Sequence, residues 1–506
     1  MIFTQALAES TQTSRVVATV GVAYIVIVAG IAAWASRRTR TASDFYAAGR
    51  GIGIWTTAIA SMAATVSGFS FIGGPGLIYR LGFGAVWIVL PLSVTAAMSG
   101  WVLATRLRLL AEVRGVLTVP DAIAARYRSP AAQGLSAVAI VIAVTSYLAT
   151  NVLALGVVMD GVFGIGLVPG IWLGALFTLA YSASGGILAG VYADLFQGVL
   201  MSVASLLVFG YVLGAGQGLD GISRSILAAD PEFLSPWGHL TPIAAISFFF
   251  VFGIGTLGQP HVVHKYYMIR DARQLRWHPL IMTGSMVIAQ LLFIGVGLVV
   301  KALVVRGELA PLVRSDDATP AFLLGFTPIT LAALVFAGVA AAIMSTVNSF
   351  LNVGAAALTR DIPLALGRVP TDGLRWGRIA TVVIALAAAT VATLSGTLVA
   401  FLGIFGWGLF ASTLVPALAV GLNWTGATRQ GAVASIATGL AVTLILETLA
   451  YLKVFTFPAG VTATALALVS SLLVFIMVSL ATARTDAGPD PDIRAIMDAG
   501  RGLPGA

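Results

Sequence analysis

Cysteine is absent from this 506-residue chain, which excludes structural disulfides, thiolate nucleophiles and cysteine-ligated metal sites. Histidine is nearly absent: the four present show no metal-ligand spacing, and His261 and His264, flanking an expected helix end, read as interfacial. Charge is scarce too. Asp, Glu, Lys and Arg make up 9% of the residues, against about 25% in soluble globular proteins. Apolar residues make up 58%, and mean hydropathy is +0.99. Such a chain cannot keep a water-facing surface and reads as an all-α polytopic membrane protein. The formal net charge of +8 then points to basic cytoplasmic loops, with no nucleic-acid partner. No Ser/His/Asp set falls in the apolar runs, so the chain is not read as an enzyme.

What is present is a series of apolar runs near 16–35, 52–78, 83–105, 133–159, 166–183, 195–215, 241–262, 279–304, 326–357, 378–397, 399–421, 431–451 and 460–482. Most approach the ~20 residues a helix needs to cross hydrocarbon, which predicts thirteen transmembrane helices. If the first run crosses from outside to inside, most of the 28 Lys and Arg fall on the cytoplasmic side. They cluster at Arg37 to Arg50, Arg106 to Arg128, Lys265 to Arg276, Arg360 to Arg378, Arg429 and Arg484 to Arg501. That bias sets the N-terminus outside and the C-terminus inside the cell membrane. The first run is longer than the ~7–15 residues of a signal-peptide core and its basic residues follow it, so it reads as a retained helix. Residues 483–506, rich in Gly, Pro and charge, read as a mobile cytoplasmic tail.

Two stretches break the oily pattern. Between Ala341 and Asp361, Ser345, Asn348, Ser349 and Asn352 recur at i, i+3, i+4 and i+7 on one helix face, with Ala342 one turn earlier. In a membrane such a face either joins helices or replaces the water around a polar passenger. Between Ala60 and Tyr79, Ser67-Gly68 and Gly73-Gly74-Pro75-Gly76 put helix breakers inside a spanning segment. The groups freed there have no water to bond, so such a break must be buried in protein or line a cavity. A kink or helix end explains Pro75, but not Ser67-Gly68 in mid-span. The seventh run has a matching interruption from Phe252 to Pro260. Spans two and seven are five apart and cross in opposite directions, the pattern of a five-plus-five inverted repeat with its site near the midplane. The expected divisions are an extra helix and first cytoplasmic loop (1–51), two repeats (52–240 and 241–430), two extra helices (431–482) and the tail.

At this point the residues resemble the sodium:solute symporter family. The likeness rests on Asp44 to Arg50, the broken helix ending Gly73-Gly74-Pro75-Gly76, and Gly185-Gly186 followed by Asp194 and Gln197. It rests also on Gly258-Gln259-Pro260-His261, and on Met344-Ser345-Thr346 leading to Leu358-Thr359-Arg360-Asp361. The resemblance implies a LeuT-like core in which the first and eighth core helices meet. It implies a Na⁺ site formed by the carbonyls of Ala63, Val66 and Ala342 with the hydroxyls of Ser345 and Thr346. It places Asp194 near the cytoplasmic ion exit, although a carboxylate at a helix N-terminus is an equal reading of that residue.

Tyr147 aligns with an aromatic that lines the solute cavity in proline carriers of this family, and Thr150 and Asn151 follow one turn on. Ser67, Phe69, Phe252 and Thr256 complete the expected solute site. Packing is an equal reading of Tyr147. Proline carriers have Asp where Thr65 aligns, and Trp and Tyr where Phe252 and Thr256 align, so the sequence does not clearly fall in the proline branch. Gln290 reads as an interhelical hydrogen bond. The expected function is Na⁺-coupled symport of a small organic solute, such as an amino acid or monocarboxylate, by alternating access. The alternatives are a transporter-like sensor signalling to a separate partner and a proton-coupled carrier. The expected partners are the solute and the lipid bilayer, with a monomer as the working state.

Overall fold

The computed structural model describes residues 2–37, 51–182, 187–368, 373–396, 399–454, 457 and 460–499. The expected Asp44 to Arg50 and Gly185-Gly186 motifs, and Arg38, Arg40 and Arg501, lie outside these residues. Among the described residues the chain is helical, with one isolated parallel bridge between Ile52 and Ile269 and no strand.

Helix α1 (Ile2–Ser36) lies at the rim, with only 17% of its apolar window buried. A bent pair follows, α2 (Ile54–Thr65) and α3 (Gly74–Leu81), linked through a π turn at Phe69–Gly73. A second bent pair is α4 (Val86–Ser99) and α5 (Thr105–Arg114), and α6 (Val119–Tyr127) is short. Helix α7 (Pro130–Phe163) runs through the middle of the molecule, 78% of its apolar window buried. Then come α8 (Leu167–Ser182), α9 (Ile187–Ala215) and the amphipathic α10 (Gly218–Ala229). The third bent pair is α11 (Pro242–Phe248), carried on by π and 3₁₀ turns to Gly258, and α12 (Pro260–Val263), carried on to Met268. After α13 (His278–Val305) and α14 (Ala318–Phe326), α15 (Ile329–Ala356) continues through a π turn to Asp361. The chain ends with α16 (Gly373–Leu394), α17 (Val399–Leu414), the hairpin of α18 (Arg429–Tyr451) and α19 (Ala463–Thr482), and α20 (Pro491–Ala499).

Side chains at the helix ends explain where many of these elements start. Thr118, Ser129, Thr241, Thr428 and Thr462 each accept a hydrogen bond from a first-turn N–H, and Pro follows directly after Ser129 and Thr241. Nine described helices are long and apolar enough to cross a membrane. Three bent pairs meet the same test jointly, with bends of 59°, 41° and 40°, and 167–179 is a shorter apolar helix. Helices α7, α15 and α17 form the centre: α7 packs on α17, α8, α16 and α15, while α15 also packs on α9, α1 and α2.

Three expectations change. The Gly73-Gly74-Pro75-Gly76 run is helical and buried, not a break. Its glycines serve close packing, since a Cβ on Gly74 would fall 1.9 Å from the Phe293 ring of α13. Gln290 is buried, yet neither side-chain amide atom finds a hydrogen-bond partner. The tail is not wholly mobile: Ile493, Ile496 and Met497 are buried on one face of α20. Arg114 pairs with Asp490 at 2.8 Å and with Asp492 at 2.5 Å, and Arg128 pairs with Asp490 at 3.0 Å.

Candidate ion and solute site

The first break falls at residues 66–68, as the mid-span Ser67-Gly68 predicts. Helix α2 ends at Thr65, Val66 is extended at φ −81° and ψ 119°, and the helix resumes at Phe69. The freed donors are met by side chains. Gly68 N–H donates to Asn151 Oδ1 at 3.0 Å and Phe69 N–H to Ser67 Oγ at 3.2 Å. Ser67 Oγ is in turn hydrogen-bonded to the Tyr147 hydroxyl at 3.1 Å, and Asn151 Nδ2 donates to the Tyr147 carbonyl at 2.9 Å. Gly68 has no room for a side chain: a Cβ would lie 2.7 Å from that of Ala154 on α7.

The carbonyls freed by the break face α15. Thr346 Oγ1 lies 2.9 Å from the Ala342 carbonyl, 3.4 Å from that of Ala64 and 3.5 Å from that of Val66. One hydroxyl proton cannot serve three acceptors, so oxygens outnumber donors here. Ser345, the preceding residue of α15, is fully buried and its Oγ completes no hydrogen bond. Ala63 is also fully buried, but of the first broken helix it is Ala64 whose carbonyl lies nearest to Thr346 Oγ1, and the Ala63 methyl faces Gly198 of α9. A cluster of buried oxygens short of protons is the donor set that suits a small hard cation.

Asp194 stands two turns into α9, beyond the first turn where a helix dipole would hold it. Its carboxylate neighbours the Ser345 hydroxyl. Oδ2 accepts from Lys265 Nζ at 2.5 Å, with both side chains buried. Two buried charges hold together only as a pair, since removing one strands the other in a medium that cannot solvate it. Lys265 is a residue that the sequence did not single out, because its partner lies 71 residues away.

A cavity of about 320 Å³ opens next to this pair, lined by Asp194, Lys265, His261, Asn348, Ser349 and Asn352 among others. The polar face read from the sequence therefore lines a cavity. At the Arg360 end of that face, the guanidinium pairs with Asp121 at 2.7 Å and Asp361 at 2.8 Å.

The expected solute residues gather on the other side of an aromatic wall and do not line that cavity. Phe69 stacks on Phe252 with centroids 5.5 Å apart, and Phe252 on Trp407 at 5.6 Å. Tyr147 lies 5.9 Å from Trp407 and 5.1 Å from Phe350. The hydroxyl of Thr256 is spent on the Phe252 carbonyl at 2.7 Å, and that of Thr150 on Ser146 at 3.5 Å. His261 is not interfacial as expected. It is buried against Phe350 at 4.1 Å with neither ring nitrogen bonded, because Pro260 restarts the helix inside the protein. Trp407 also escaped the sequence reading, since one aromatic in an apolar run carries no signal of its contacts.

The second break falls at Gln259, extended at φ −80° and ψ 104°. Gln259 Nε2 donates to the carbonyls of Gly255 at 3.0 Å and Trp407 at 3.2 Å, leaving Oε1 buried without a partner.

Known proteins fit this arrangement. The chain is 29% identical over 437 residues to a sodium/proline symporter of Staphylococcus aureus, covering 83% of this chain and 84% of the relative. It is 28% identical over 471 residues to an osmoregulated proline transporter of Bacillus subtilis, covering 91% and 94%. Among solved structures, a Na⁺-coupled sialic acid symporter in a substrate-bound outward-open state superposes with a TM-score of 0.73 at 17% identity, over 94% of this chain and 98% of that one. A nucleobase-cation-symport-1 family transporter superposes at 0.54 and 13% identity, over 91% and 99%. These neighbours share the fold and are of the LeuT-like kind that the resemblance implied. With residues 45–439 matching the family profile from the motif before the first break to the helix after α17, the chain belongs to the sodium:solute symporter family.

Proposed function

We propose that this multi-pass membrane protein carries a small organic solute into the cell together with Na⁺, by alternating access. The observation that carries the reading is the group of buried oxygens where the first break meets α15, the carbonyls of Ala64, Val66 and Ala342 around Thr346 Oγ1. Ala63, Val66, Ala342, Ser345 and Thr346 would hold the ion, and the family supports Na⁺ as that ion. The nine spans, the three bent pairs and the short helix at 167–179 together would make the expected thirteen crossings. Residues 52–240 and 241–430 would then be the two inverted repeats, with 1–51 and 431–482 outside them. The basic clusters favour an outside N-terminus and a cytoplasmic C-terminus.

In this reading the solute sits among Ser67, Phe69, Tyr147, Thr150, Asn151, Phe252 and Thr256. Phe350 and His261 wall it off from the Asp194 cavity, which is the way out for the ion. With Na⁺ bound, the oxygens of the break are neutralised and α2 is drawn onto α15. When the ion leaves, Lys265 remains as the cation facing Asp194. One Na⁺ moving inward across ~100 mV yields about 2.3 kcal/mol, and a tenfold gradient about 1.4 kcal/mol more, enough for several-hundred-fold accumulation of a neutral solute.

The relatives favour proline, whereas Thr65, Phe252 and Thr256 do not. Thr65 spends its hydroxyl on Ser61 at 2.8 Å and puts no charge at the break. Uptake into proteoliposomes of labelled amino acids, monocarboxylates, sugars and vitamins, with an inward Na⁺ gradient against a K⁺ control, tests the reading. Accumulation of one class only with Na⁺ is expected. Accumulation driven by a pH gradient with no Na⁺ effect would replace it with proton coupling, which the Lys265 ammonium beside the site favours. No accumulation, in protein that Na⁺ still stabilises, would favour the sensor.

A further inference from the structure

Three span ends meet where α7 and α18 begin and α19 finishes. Between them lies a cavity of about 240 Å³, lined by Arg126, Arg128, Arg429, Gln430 and Asp486 among others. A second depression of about 530 Å³ starts from the same Arg429 and Gln430 and runs along Pro130, Val433, Ala434 and Val478. Arg429 is the first residue of α18, and Val433 lies one turn further in. Val478 likewise lies one turn before Thr482, the last residue of α19. The charged cavity therefore stands at the level of the span ends, and the apolar groove about 5 Å deeper, where hydrocarbon begins.

The balance of charge in the upper cavity is positive. Asp486 spends its oxygens on the N–H groups of Arg429 and Gly488, both at 2.8 Å. Arg126 is buried and donates only to the carbonyls of Gly421, Trp424 and Ala427. Arg128 pairs with Asp490, while the Arg429 side chain is exposed and forms no ion pair among the described residues. Gln430 keeps its Oε1 buried with no donor in reach. An acceptor waiting for a hydroxyl, arginines at headgroup height and an apolar groove below describe a single amphiphile.

We propose that this double depression binds one anionic phospholipid with a hydroxylated headgroup, its phosphate on Arg429 and Arg128, its hydroxyl on Gln430 and one acyl chain along Val433 and Val478. The lipid would pin the 485–488 segment, and with it the docked tail, to the membrane surface.

The test uses the full-length protein in neutral detergent, with native mass spectrometry and thermal unfolding in the presence of phosphatidylglycerol, phosphatidylcholine or glycerol 3-phosphate. Retention of phosphatidylglycerol and a raised unfolding temperature are expected, with neither from phosphatidylcholine nor from glycerol 3-phosphate. Arg429→Gln should weaken retention about fivefold and Arg429→Lys much less. Ala434→Trp, which fills the groove and leaves the charges alone, should weaken it as well. Equal retention of phosphatidylcholine would overturn the proposal, as would unchanged retention in both Arg429→Gln and Ala434→Trp. Equal stabilisation by glycerol 3-phosphate would show a soluble-anion site instead.

Discussion

The two broken helices meet one problem with different partners. At residues 66–68 the freed groups are met from outside the helix, by Asn151 of α7 and Thr346 of α15. At Gln259 the helix's own side chain bonds back to the Gly255 carbonyl and across to that of Trp407, and the surroundings are the aromatic rings of Trp407, His261 and Phe350. Both breaks leave buried oxygen short of donors, but the first gathers several carbonyls around Thr346 Oγ1, while the second leaves the single Gln259 Oε1 among aromatic rings.

The sharpest way to break this contrast is Ser345→Ala with Thr346→Ala. Na⁺ dependence of uptake should vanish; uptake that still saturates with Na⁺ would remove the ion from the first break. Next in size is Lys265→Met, which leaves Asp194 charged and buried without its partner. Thermal unfolding in detergent should show a loss of about 3–5 kcal/mol, recovered in large part when Asp194→Asn is added. The breaks themselves differ in a third test. Asn151→Ala strands the Gly68 N–H and should cost about 1–3 kcal/mol, whereas Gln259→Ala removes donors from carbonyls and should cost about 1 kcal/mol. Similar losses for the two would erase the distinction.

The smallest effect concerns Asp316, which packs over Gly76 in the second half of the first broken helix and accepts from Val399 N–H at 2.9 Å. Burial pushes its carboxyl up to about 6, against the Val399 hydrogen bond that lowers it. The folded chain then binds more protons than the unfolded one between about pH 4 and 6. Stability should fall as pH rises through that window and level off above it, and Asp316→Asn should flatten the slope.

Much of this was legible in the sequence, for identifiable reasons. Apolar runs report their length directly, and a Ser-Gly pair in mid-span forces a break wherever backbone must be satisfied without water. The Ser345 to Asn352 face was legible because helical periodicity puts those residues on one side. Contacts across the fold were not. Lys265 meeting Asp194, His261 lying on Phe350, and Gly74 abutting Phe293 depend on how helices pack, and packing leaves no periodic trace. Thr150 and Thr256 read as free polar side chains in the sequence, but bonds to their own helices tie up their hydroxyls, a competition that residue type does not reveal.

The bridge between Ile52 and Ile269 is made entirely of main-chain atoms: Ile52 N–H donates to Met268, and Arg270 N–H donates to Ile52. It joins the start of the first broken helix to the end of the second. Any residue other than proline supplies the same donors and acceptors there. Side chains around both breaks can therefore change while the same mechanical tie between the two broken helices is kept.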